Sequence, residues 1–217
     1  MPRILLLLAA LLLSANAAAQ YPSRQTGTVT AEVDGRNVTA VTTATEVPAN
    51  AADSATDENQ RAILERVAGT TQHTASFALH EAFMLGGIQL TAERIWVTVS
   101  TETDHPDGSS FDSFLVQFAL DPEKLQLIDE DEAEISFYPR GSSWSDYYAL
   151  TEGSLQLDEV VVLDGQTLRI TGSFSGLFSH QTGFDITHNP ADVLSVNATF
   201  ELSEVGASDV TLNLLQE

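Results

Sequence analysis

Apolar and polar residues alternate with a period of two along most of this chain. That spacing turns one face of a β-strand toward a core and the other toward water. Residues 94–102 set Ile95, Val97 and Val99 against Trp96, Thr98 and Ser100, and Phe114, Val116, Phe118 and Leu120 mark a second strand. Leu194, Val196, Ala198, Phe200 and Leu202 alternate with polar positions in a third. Shorter runs over residues 28–33, 37–47, 74–80, 135–138, 147–150 and 210–214 read the same way. Asp34-Gly35 and Asp164-Gly165 predict tight hairpin turns, because both central residues need positive φ, which Gly adopts freely and Asp tolerates. The second lies inside residues 153–176, two β-branched runs that predict the ribbon around which the fold is built. Leu155 and Leu157 are odd-numbered while Val160 and Val162 are even, so both sets reach one core only with a bulge near Asp158-Glu159. The first hairpin carries small apolar residues and predicts an edge ribbon.

One segment breaks the period. Residues 57–68 read as a short helix: Thr56 or Asp57 can cap it, Ile63 and Val67 lie four apart on one face, and Gly69 can end it. Strands and turns every eight to twelve residues predict an all-β fold, an antiparallel β-sandwich with barrel-like closure as the variant. Residues 20–217 contain no linker long enough to divide them, so a single domain is expected there. Residues 1–19 read differently: Arg3, an apolar run over 4–13 and a small-residue region predict a secretory signal peptide cleaved after Ala17 or Ala19. Ten apolar residues are too few to span a bilayer, which takes about twenty. Nothing later in the chain reads as a transmembrane helix. An outer-membrane barrel is disfavoured by 7 % aromatic content, too sparse for two girdles.

Composition narrows the partners. The 217 residues hold 31 Asp+Glu against 9 Lys+Arg, a net charge of −22, and no cysteine. Such a chain repels phosphate backbones and anionic membranes, which argues against nucleic-acid binding. It forms no disulfide, so its stability comes from packing, and it suits a bacterial export route ending in a secreted or periplasmic protein. The acidity keeps the protein soluble and is also what a saline habitat tolerates, where charges are screened. On that export route the acceptor patterns at Asn37-Val38-Thr39 and Asn197-Ala198-Thr199 carry no glycan.

Candidate chemistry is sparse. Trp144, Tyr147, Tyr148 and Tyr138 gather around one loop and can stack on a sugar or anchor a protein, with Trp96 a weaker second candidate. The ordinary alternative is that these rings fill the end of the fold. Asp104, Asp107 and Asp112 surround a Gly turn and can offer oxygens to calcium, although their spacing is not that of an EF-hand and a solvated hairpin loop is the favoured explanation. His180 and His188 share one loop and form a possible metal pair, against the simpler reading of surface histidines. Gly172–Gly176 has the outline of a nucleophile elbow, but Phe174 stands at its centre and no helix follows. These features predict a non-enzymatic binding or structural module that takes a protein or glycan partner and needs no cofactor beyond the calcium candidate. The alternative is a polysaccharide hydrolase or lyase using carboxylates or a loop-bound metal.

Overall fold

The computed structural model describes residues 21–80, 83–85, 88–90, 94–102, 111–128, 133–142, 145–164, 166–182 and 189–208. Residues 1–20, the stretch 103–110 with Asp104 and Asp107, and the run at 210–214 lie outside them.

The first hairpin pairs β1 (Ser23–Val33) with β2 (Arg36–Glu46). Asp34 (φ 46°) and Gly35 (φ 76°) both adopt positive φ at its turn, as expected. The Asp34 carboxylate accepts the Ser195 N–H at 2.7 Å and the Asp34 N–H donates to Ser195 O at 2.9 Å, tying the turn to the last described strand. The ribbon is more central than its small side chains suggest. β1 lies between β2 and β12 (Asn189–Ala207), with Val29, Ala31 and Val33 buried. Small residues are what this crowded position admits.

A 3-10 turn (Ala51–Ser54) and helix α1 (Glu58–Val67) follow. The Asp57 carboxylate accepts the Gln60 N–H at 2.7 Å, and Gln60 Oε1 accepts the Thr56 N–H and hydroxyl in return, so both expected capping residues are engaged. Beyond Ala68, Gly69 turns the chain with φ 77°. The buried face differs from the expected one. Leu64 and Val67 pack with Val47 and Ala51 in a small separate cluster, while Ile63 is 41 % exposed.

The remaining strands are β3 (Thr71–His73), β4 (Ala75–His80), β5 (Phe83–Leu85), β6 (Ile88–Leu90), β7 (Arg94–Ser100), β8 (Ser113–Leu120), β9 (Glu134–Tyr138), β10 (Asp146–Asp164) and β11 (Thr167–Thr182). Strands β5 and β6 pair separately. The main sheet runs β11-β10-β9-β8-β7-β4-β12-β1-β2-β3, and β11 also pairs with β12, so the sheet turns back on itself. The architecture is therefore all-β, mostly antiparallel and barrel-like. The ring is completed through narrow seams. Parallel β12–β4 pairing covers only Gly206↔Ser76 and Ala207↔Phe77, and β9–β10 pairing only Tyr148↔Phe137 and Ala149↔Ser136. No helix among the described residues is long and apolar enough to cross a membrane.

The alternation produces the core directly. Val97, Phe114, Val116, Phe118, Phe137, Phe174, Phe178, Phe200 and Leu202 all face inward and are essentially inaccessible to water. Phe114 packs against Phe137 and Phe174 with ring centroids 5.0 and 5.6 Å apart. Each such ring contributes about 1.5–3 kcal/mol by burial.

The long hairpin β10–β11 has the predicted bulge, a register shift between Leu157 and Glu159, with two further shifts at Leu150/Glu152 and Val162/Asp164. Its turn falls slightly later than expected, because Asp164 is still paired, opposite Thr167. Midway, Gly153 faces Gly176. A Cβ on Gly153 would run into the Ser175 carbonyl oxygen, and one on Gly176 into that of Glu152. Only two glycines let the backbones approach this closely.

Candidate functional site

One end of the ring collects the β1–β2 turn, the first residues of β8, β10 and β12, and the last residues of β9 and β11. The antiparallel register requires it: Ser113 pairs with Tyr138, Tyr148 with Phe137 and with His180, and Val33 with Val196. The candidates Asp112, Tyr138, Tyr147, Tyr148 and His180 all lie at this end. Trp144, Asp104, Asp107 and His188 lie outside the described residues.

Tyr138 and Tyr147 stack on each other, with centroids 5.3 Å apart and planes 27° from parallel. Burial, with the Tyr147 phenol beside it, pushes the Tyr138 phenol up to about 12. Tyr148 and His180 sit directly opposite on the hairpin with ring centroids 5.0 Å apart. Burial raises the Tyr148 phenol, as does the Asp192 carboxylate, which accepts its O–H at 3.1 Å. Both phenols are therefore neutral near pH 7 and present apolar plates with a hydroxyl tip.

His180 lies between two carboxylates. Its Nε2 is 2.6 Å from Asp146 Oδ1 and its Nδ1 is 3.3 Å from Asp192 Oδ2. A protonated ring donates to both, whereas a neutral ring can donate to only one. A carboxylate oxygen stands beside each nitrogen, and the two carboxylates flank the ring on opposite sides instead of converging on one point. Among the described residues no three His, Asp or Glu side chains are arranged to hold a metal.

Asp112 is likewise occupied. Its carboxylate takes the Arg36 guanidinium and the Arg140 N–H, the latter at 2.9 Å. Burial alone would raise this carboxyl, but Arg36 and the Arg140 amide outweigh it and hold it below the usual aspartate range. A cation at Asp112 would have to displace Arg36. Trp96 stands apart, half-buried on the outer face of β7 opposite Ala78 and Ala119.

Asp192 and the turn residue Asp34 complete this end, and Asp192 carries no signal of its own in the sequence. The signal that could have found Asp192 is the hairpin register. Each of the three shifts moves the pairing by one residue, and only their sum sets Tyr148 opposite His180. A shallow polar concavity of about 350 Å³ lies elsewhere, on the outer face of β1, β11 and β12, lined by Gln25, Thr28, Arg169, Thr171, Glu201 and Ser203 among others. It lacks an aromatic side chain. Comparison with known proteins finds no matching family model, and no significantly similar curated protein or solved structure.

Proposed function

We propose that this chain is an exported, non-enzymatic binding module that recognises a glycan through the loop end of its barrel-like sheet. The observation that carries the reading is the gathering of four rings at one end of the sheet, the Tyr138–Tyr147 stack on one face and the Tyr148–His180 pair, edged by Asp146 and Asp192, on the other. Ring faces stack on the apolar faces of sugars, and carboxylates and phenol hydroxyls satisfy sugar hydroxyls at the edges. Export, to the periplasm or the medium, rests on the leader-like residues 1–19, and the acidic composition weighs against nucleic acid as partner.

A glycan array on residues 20–217, followed by titration calorimetry on the ligands found, tests this. Tyr147→Ala is expected to weaken binding about tenfold, equivalent to about 1.4 kcal/mol. Unchanged affinity for every ligand in Tyr147→Ala and Tyr148→Phe would sink the reading. Glycan turnover abolished by Asp146→Asn would support the hydrolase or lyase alternative instead.

A further inference from the structure

We propose that the outer edge of β10 at residues 160–163 is a strand-addition site for an extended peptide with an apolar centre and basic flanks. Beyond Ala149, no described strand pairs with this edge of β10. Val160 and Val162 sit opposite Ile170 and Leu168, which are 0 % and 3 % exposed, so they lie on the core side of the ribbon. Val162 is nonetheless 51 % exposed and the adjoining Leu163 50 %. The apolar layer thus runs past the last strand and stops uncovered. Proteins usually blunt such an edge with lysine, proline or an inward charge. Residues 160–163 are Val-Val-Val-Leu, with none of these. The register shifts at Leu157/Glu159 and Val162/Asp164 bracket the segment and leave a short regular stretch between them. An added strand would take the alternate outward amide and carbonyl groups and cover Val160 and Val162.

Charge selects the occupant. Asp158 and Glu159 precede the apolar segment and Asp164 follows it, in a chain of net charge −22. A second copy pairing two-fold about Val161 and Val162 would set Glu159 against Asp164 of the other copy, and like charges directly opposite destabilise a ladder. A strand with lysine or arginine on either side of an apolar centre meets those acids with opposite charge.

The full chain is titrated with a fluorescent peptide of sequence Lys-Val-Thr-Val-Thr-Lys, and amide exchange is followed by mass spectrometry. Expected are saturable binding, slower exchange confined to β10 around residues 157–164, and at least a tenfold loss of affinity in about 1 M salt, where the Debye length is about 3 Å. Val162→Lys, and separately Leu163→Lys, should abolish binding while the circular-dichroism spectrum stays unchanged, since both side chains are half in water. The proposal is overturned by no binding, by equal binding when Glu replaces both lysines of the peptide, or by protection of the same amides through self-association without peptide. The Tyr147→Ala variant should bind this peptide normally, which separates the edge from the loop-end site.

Discussion

His73, in β3, is half-buried, and its Nδ1 is covered without a hydrogen-bond partner among the described residues. Burial lowers its basicity, opposed by the nearby Glu204 and reinforced by Arg24. The unfolded chain therefore takes up this proton first, near the ordinary histidine value of about 6.5. The stability His73 contributes is complete above that pH and is lost as the pH falls toward the folded value. In His73→Gln the loss of stability between about pH 7 and 5.5 should be shallower than in the parent, as read from urea unfolding at a series of pH values. Parallel curves would show that His73 is not the source. At this scale the sequence identified side chains better than their surroundings. Tyr138, Tyr147, Tyr148 and His180 stand out by residue type. Asp192 is 44 positions from Tyr148 and becomes its neighbour only through the pairing of β10, β11 and β12.

Among elements, the long hairpin depends most on two positions without side chains. Gly153 and Gly176 face each other with φ 153° and 159°, each against the other strand's carbonyl oxygen. Gly153→Ala should cost about 1–3 kcal/mol or more, since strain and collision both act there. Gly35→Ala, at φ 76° with nothing near its missing Cβ, meets only the dihedral penalty of about 1 kcal/mol. Urea midpoints of the two variants check the order, and a smaller loss at Gly153 would contradict it. Both hairpins, the capped helix and the bulge before Glu159 were legible because each is written in local alternation or turn chemistry. The identity of the helix's buried face was not. Ile63 and Leu64 are equally apolar neighbours, and only the position of Val47 and Ala51 decides between them.

For the molecule as a whole, charge and closure dominate. Among the described residues, three surface ion pairs, Arg24–Glu204, Arg36–Asp112 and Arg169–Glu159, stabilise it modestly and weaken with salt, each worth about 1 kcal/mol at most. Against them stands the self-repulsion of a net −22, which salt relieves. The second effect is the larger, so the melting temperature should rise between low salt and about 1 M sodium chloride. Differential scanning calorimetry checks the direction, and a flat or falling midpoint would refute it. The two-faced strands were readable residue by residue, but their order around the ring was not, because β1–β12 and β12–β4 join segments far apart in the chain whose proximity no local pattern encodes. Strand β12 borders β11, β1 and β4, yet it is the last described strand in the chain. Until residues 189–207 have been made, three neighbours wait with unmatched flanks, and assembly is delayed by contacts spanning most of the polypeptide. A chain held open in this way locks shut only when its last described strand arrives.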